Sequence, residues 1–344
     1  MPRLRPRQKL HALGPSRSAA PVPAPAPEVF TFGDPLPVLD RHEVMGLFRS
    51  NFNGRWYEPP VSFDGLAKAL TASPHHQSAL AYKVNLLAGA FVPHPLLSRH
   101  DFKRLALDFL VFGNAFVEVR RSRLGSLMRL APLLARWTRP TPARGAVLLT
   151  DGTEIEFEPG AVLHLLEPDI SQEIYGLPCY LGALQSALLG EAATLFRRKY
   201  YVNGSHAGFI LYLTDPAGNQ QDIDELRAAM RASKGPGNFR NLFMYMPNGK
   251  KDGLQVIPIS EVTAKDEFWN IKNVTRDDVL AAHRVPPQLL GIVPSNNGGF
   301  GSVAQAADVF FRHEIEPLQT TFLALNQGCG EEVVRFAPYQ AMAV

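Results

Sequence analysis

Cysteine is nearly missing from this chain. Only Cys179 and Cys329 occur in 344 residues, far apart and in no CxxC pair, which excludes a disulfide framework and a thiolate zinc site and fits a reducing compartment. Long apolar runs are missing too. The most apolar window, ALAYKVNLLAGAFVPHPLL, is broken by Lys83, Asn85, Pro93 and His94, so it falls short of the ~18 residues a membrane helix needs. Charge of one sign does not dominate: 35 basic against 32 acidic residues leave a net charge of +3. A free-standing DNA-binding domain relies on a dense basic face, and the chain as a whole lacks that balance.

Catalytic signatures are equally scarce. No GxxxxGK[ST] loop for ATP and no HExxH zinc motif is present. RHEVMG and RHEIEP each offer one His-Glu without the second histidine a turn later. Ser205 and His206 are neighbours in NGSHAG, which is not the GxSxG of a nucleophile elbow. Gly299-Phe300-Gly301-Ser302-Val303-Ala304 matches GxGxxA, but a dinucleotide site needs a leading strand and an acidic residue about 20 positions on; Glu314 comes too early. His75-His76 could suggest a metal pair, yet adjacent helical residues diverge by ~100°, so a helix-start role is the reading. Asp277-Asp278 is read as helix N-terminal charge complementing the dipole. The expectation is a protein that is not an enzyme and uses no cofactor or metal.

What is present is a core. Hydrophobic residues make up 46% and charged residues 19%, and the length suggests about two domains, or one with a large insertion, at ~150 residues each. Residues 1–35, rich in Pro and Ala, read as a flexible basic tail with no apolar signal-peptide core. Its Arg3, Arg5, Arg7 and Lys9 are either solvated or an arm toward an acidic partner. From 36 to 180 the pattern is an α+β body. SFDGLAKALTAS, HHQSALAYKVNLLAGAF and DFKRLALDFLVFG read as helices, capped by Ser62 or Asp64, begun by Pro74 and stopped at Gly113 respectively. NAFVEVRRS and AVLHLLEPD read as strands, LMRLAPLLARWTRP as a strand and its edge, and AVLLTDGTEIEFEP as a hairpin turning at Asp151-Gly152.

A long amphipathic helix follows at 181–206, with Leu181, Leu184, Leu188, Ala192, Leu195 and Phe196 on one stripe. Residues 207–258 read as a small β-α-β-β insert. At 259–289, VTAKDEFWNIKN predicts one helix, and a T-x-x-D capping box at Thr275 and Asp278 predicts a second, ended by Pro286 and Pro287. A glycine-rich loop occupies 290–301. From 302 to 344 a helical stripe through Phe310 and Phe322 is interrupted near Pro317, and EVVRFAP predicts a closing strand.

Three stretches carry a resemblance: FLVFGNAFVEVRR, EPDISQEIYGLPCYLGALQSALLGEAATLFRRKYYVNGSHAGFILYLTD and FWNIKNVTRDDVLAAHRVPPQLLGIVPSNNGGFGS. Together they resemble the portal proteins of P2-like contractile-tailed bacteriophages and related prophages, over about residues 60–330. The resemblance implies a portal-like α+β fold: a wing-like body, stem helices at 181–206 and 259–289, a clip-like insert, and a tunnel loop at 290–301. It implies a self-assembled ring, usually a dodecamer, at one capsid vertex of the virion, assembled in the host cytoplasm. Double-stranded DNA would pass through it, driven by the terminase large subunit. Capsid or scaffold protein, and later head-completion and tail-connector proteins, would dock on it; no membrane is implied.

Within that frame Ser295, Asn296, Asn297, Gly298, Gly299, Phe300 and Gly301 form a neutral polar loop. Such a loop touches a DNA backbone without the phosphate neutralisation that would hold it; the alternative is a plain surface loop. Lys265, Lys272 and Arg276, among Asp266, Glu267, Asp277 and Asp278, are candidate channel-wall charges or intersubunit salt-bridge partners. NLFMYM and the Phe310-Phe311 pair are candidate ring contacts, or ordinary core. Two other functions stay open at this point: a different head-tail connector or adaptor, and a nucleotide-binding enzyme using the glycine loop.

Overall fold

The structure is a computed structural model that describes residues 50–150, 152–170, 172–202, 209–213, 254–258, 264–292 and 302–340. A two-residue ladder, β1 (Asn51–Phe52) with β2 (Tyr57–Glu58), precedes three helices. The Ser62 hydroxyl accepts from Gly65 N to open α1 (Phe63–Ala69). Pro74 sits in the first turn of α2 (Pro74–Ala90), where its missing N–H costs nothing. The Ser98 side chain accepts from Asp101 N to start α3 (Arg99–Phe112).

Gly113 ends α3 in the left-handed region at φ 67°, its N–H returning to Phe109 O. A side chain there is doubly excluded, because a Cβ would lie 2.6 Å from the backbone carbon of Leu177. The chain then enters β3 (Asn114–Arg121), the middle strand of a sheet ordered β4-β3-β8, antiparallel on both sides. Its partners are β4 (Leu127–Leu133) and β8 (Val162–Leu166).

A second antiparallel sheet joins β5 (Thr138–Pro140), β6 (Ala146–Thr150) and β7 (Thr153–Phe157). Thr150 faces Thr153 across the tight turn and Gly152 takes φ 81°, as the hairpin reading requires; Asp151 lies outside the described residues. LMRLAPLLARWTRP departs from its reading as one strand with an edge. The strand stops at Leu133, a 3-10 turn spans Ala135–Trp137, and Thr138 begins the other sheet. Side-chain bonds cause the break. Asp108 accepts from Ala135 N at 2.8 Å and Thr138 Oγ1 donates to Leu134 O at 2.9 Å, so these groups are withdrawn from any ladder.

The core lies between α2, α3 and the first sheet. Phe91 and Phe102 stack at 4.2 Å, and Phe322 meets the edges of Phe102 and Phe109 at 5.2 and 5.4 Å. Tyr175 and Tyr180 are fully buried, and their hydroxyls donate to Tyr57 O and Val111 O.

After a 3-10 turn at Leu181–Ala183, α4 (Leu184–Val202) runs out from the core and α5 (Ala264–Ala282) runs back. Ser186 donates to Asp278 at 2.9 Å, and a Cβ on Gly190 would stand 3.2 Å from Thr275 Oγ1. The pairing numbers run in opposite directions, so the helices are antiparallel and close at Gly190. Between them β9 (Phe209–Leu213) pairs antiparallel with β10 (Leu254–Pro258). The helix and one strand of the β-α-β-β insert expected at 207–258, with the NLFMYM segment offered as a ring contact, lie outside the described residues.

The capping box at Thr275 and Asp278 is not formed: α5 is one continuous helix through both positions. Thr275 Oγ1 instead donates to Lys272 O, and Asp278 is taken by Ser186. The reading of Asp277-Asp278 as charge at a helix N-terminus falls with it. Burial of Val279 against Ala183 and Ala187 holds the helix straight through the local cap signal.

Ser302 and Gln305 form a reciprocal capping box that opens α6 (Val303–Phe310), a pairing the sequence reading passed over. A π-helical turn spans Phe311–Ile315 before α7 (Glu316–Cys329). The interruption expected near Pro317 takes this form because the proline ring crowds the carbonyl of His313, four residues back, and a wider turn relieves it.

EVVRFAP is not a strand. Its ladder shrinks to a single bridge, Phe91 with Phe336, flanked by Val92 N to Arg335 O and Ala337 N to Ala90 O. Asn326 explains why: its Oδ1 accepts from Val333 N and Val334 N, and its Nδ2 donates to Val334 O. Phe310 and Phe311, offered as ring contacts, are buried in this chain against Tyr82 and Tyr339. Among the described residues no helix is long and apolar enough to cross a membrane.

Candidate channel surface and the polar joint beside it

The seven loop residues Ser295 to Gly301 lie outside the described residues, so their neighbours are not assigned. Lys265, Lys272 and Arg276 all belong to α5. Lys272 has its pKa lowered, by desolvation first and then by the charge of Arg197 on α4. Arg276 is half-buried; its Nε meets Asp277 Oδ1 at 2.8 Å and its Nη1 meets Asn273 Oδ1 at 3.2 Å. His75 at the start of α2 has its pKa lowered by burial, then by Arg276 and Lys272. The fold therefore brings Arg197 and His75 to two of the three cations picked from sequence. The signal for Arg197 was its place in the run RRK; nothing in the sequence joined His75 to α5.

Below this strip the end of α5 is fixed by polar contacts that the sequence reading missed. Arg284 takes φ 56°, a left-handed cap without glycine. Arg284 N returns to Ala281 O and Val285 N to Leu280 O, which closes the helix in a Schellman pattern. His283 Nε2 lies 2.8 Å from His76 Nδ1, one ring nitrogen donating to the other, and both rings pack on Tyr180 at 5.3 and 4.5 Å. Burial pushes the His76 pKa down to about 4. Burial, with the neighbouring His76 and Lys83, pushes that of His283 down to about 2. The pair is neutral at neutral pH.

Two turns further along α2, Lys83 Nζ meets Glu314 Oε1 at 2.6 Å, and Arg284 Nη1 meets Glu314 Oε2 at 3.0 Å. Lys83 and Glu314 expose 1% and 7% of their side chains, while Arg284 exposes 64%. A cavity beside this trio is lined by Phe109, Glu167, Cys179, Arg284, His313 and Glu314. Burial raises the Glu167 pKa, and desolvation raises the Cys179 thiol, which disfavours the reactive thiolate. The clues were a lysine inside the most apolar window and the Glu of RHEIEP, which as a motif points only to zinc or dinucleotide chemistry that the chain does not complete. Among the described residues no three His, Cys, Asp or Glu side chains are grouped to hold a metal.

The fold is α+β, and its polar clusters tie elements of the chain together. The sequence profile of the phage portal proteins matches residues 90–329. The chain belongs to the phage portal protein family, and with it to the structural proteins of the phage virion. It is 52% identical over 317 residues, covering 92% of both chains, to the probable portal protein of Escherichia phage P2. It is 37% identical over 279 residues, 79% of this chain and 80% of the relative, to the probable portal protein of Haemophilus phage HP1.

Among solved structures it resembles a chain of the neck of a native gene transfer agent particle computed with C12 symmetry. The TM-score is 0.60 at 18% identity, over 87% of this chain and 88% of that one. It also resembles a HK97 family phage portal protein from Corynebacterium diphtheriae, with a TM-score of 0.57 at 18% identity over 79% and 94%. The expected portal-like α+β fold is thus the observed one.

Proposed function

We propose that copies of this chain close into a ring of about a dozen subunits, the symmetry of the gene transfer agent neck, at one capsid vertex. Double-stranded DNA enters and leaves through its channel. Residues 36–180 form the wing, α4 and α5 the stem, and the insert carrying β9 and β10 the clip. The clip receives the terminase large subunit first and the head-completion and tail-connector proteins later; capsid or scaffold protein docks on the ring. Residues 294–301 face the channel and touch DNA without gripping it, with Lys265, Lys272 and Arg276 near its wall; Leu290 and Ile292, at the start of the 290–301 stretch, pack on the body core instead. The chain catalyses nothing itself.

The observation that carries this reading is the antiparallel pair α4–α5, rooted in a packed body and bearing a strand pair at its outer end, in a chain of the portal family. Native mass spectrometry with negative-stain imaging of the purified chain tests it. A holed ring of about a dozen subunits is expected; a compact dimer would overturn it. Bulky residues at Asn296 and Asn297 test the loop: capsids should fill poorly, and normal filling sinks the assignment.

A further inference from the structure

Glu314 stands at the meeting point of three elements. Its two carboxylate oxygens are divided between cations from different parts of the chain: Lys83 from the middle of α2, and Arg284 from the left-handed cap that ends α5. His76 and Lys83 lie seven residues apart, two turns along one face of α2, and both are buried. That face receives His283 directly and Arg284 through Glu314. Consecutive residues at the end of α5 are therefore anchored, by different bonds, to one helix of the body.

Glu314 itself sits in the π-turn that joins α6 to α7, and its burial depends on that turn keeping Phe310, Phe311, Glu314 and Ile315 all inward. The described chain stops at Ile292 and resumes at Ser302. The bond from Arg284 to Glu314 thus links the element before this interval to the element after it.

We propose that Glu314 is a positioning residue that couples the end of α5 to the helix α6, so that the two elements flanking residues 293–301 are held by one carboxylate and shift together. A buried carboxylate with one buried and one exposed cation suits this role. The Lys83 bond fixes Glu314 to the body, because breaking it strands a buried charge. The Arg284 bond, with an exposed partner, is weak enough to open without unfolding. The coupling concerns how α5, α2 and α6 are tied, and holds whether or not the interval touches DNA.

Hydrogen–deuterium exchange on the assembled full-length protein tests it. In Arg284→Gln the buried Lys83–Glu314 pair survives and the exposed position keeps the fold. Exchange should rise about twofold to fivefold, the range for an ion pair with one exposed partner, both in residues 279–285 and in residues 303–315. A rise confined to 279–285 would overturn the coupling.

The double variant Lys83→Met with Glu314→Leu supplies the second arm. Apolar replacement of a buried pair preserves stability, so the melting temperature should stay close to that of the parent while both stretches lose protection together. Residues 279–285 as protected as in the parent would show that Glu314 does not couple them.

Discussion

The body and the α4–α5 pair are built on different terms. In the body, α3 and β3 bury every apolar side chain they carry except Leu107, and aromatic rings interlock from Phe91 to Phe322. Among the described residues the helix pair has a small core of Ala187 and Val279, joined by Ala183 from the turn before α4. It leaves Leu189 at 52% and Val274 at 60% exposure. One region is complete within a single chain; the other presents apolar surface that a neighbouring copy in a ring would cover. Stability and assembly should therefore separate by region.

The largest effect is expected from Phe102→Ala. Removing a fully buried ring that stacks on Phe91 should cost about 4 kcal/mol, within the range for aromatic truncation in a core, and chemical denaturation of the purified chain would read it. Lys83→Ala should follow at about 3 kcal/mol, because it leaves Glu314 buried beside Arg284 alone. A loss under about 1 kcal/mol would mean that water reaches Glu314.

Acid should separate the regions next. His76 and His283 have folded pKa values of about 4 and about 2, against an ordinary value of 6.5. As pH falls below 6.5 the unfolded chain takes up protons that the folded chain refuses, so the stability present above pH 6.5 is lost toward pH 4. The slope approaches about 1.4 kcal/mol per pH unit per group. Asp108, raised to about 6 from 3.8 mainly by burial, acts in the opposite sense: its penalty is relieved as pH falls from 6 toward 3.8. Lys83 adds its charge to the depression of His283, and Tyr180, on which both rings pack, stays protonated throughout this window. Replacing both histidines with leucine should flatten the acid limb in pH-dependent denaturation, and an unchanged slope would remove the pair from the account.

The smallest effect on stability, within about 0.5 kcal/mol, is expected from Leu189→Asp on the outer surface of α4. Ring yield in negative-stain images should nonetheless fall. A variant that forms rings normally would place the subunit contact elsewhere and blunt the contrast between the regions.

The same contrast governs what could be read from sequence. Caps and turns depend on a few adjacent residues, so Ser62, Gly113 and Gly152 mark their elements whatever the rest of the chain does. The continuity of α5 through Thr275 depends on Ser186, and the missing strand at EVVRFAP on Asn326. Both partners are invisible to a local pattern. The polar joint was hidden for the same reason: His76 meets His283, and Lys83 meets Glu314, only once α2, α5 and the π-turn are packed together. The family and the α+β class were legible because long stretches match as whole segments. The candidate channel site was legible as the neutral loop at 295–301 and as charges along α5, but the approach of Arg197 to Lys272 and of His75 to both Lys272 and Arg276 depends on packing and was not.

The antiparallel pair has one more consequence. Helices α4 and α5 each have 19 residues, about 28 Å at 1.5 Å per residue, and both are rooted in the body at one end. A partner pressing on the β9–β10 end thus works on a lever arm. A displacement there arrives at the root divided by its length, as a small rotation about the corner formed by His283 and Arg284. That corner is the fulcrum, and its stiffness sets how much of a push at the tip reaches the rest of the chain.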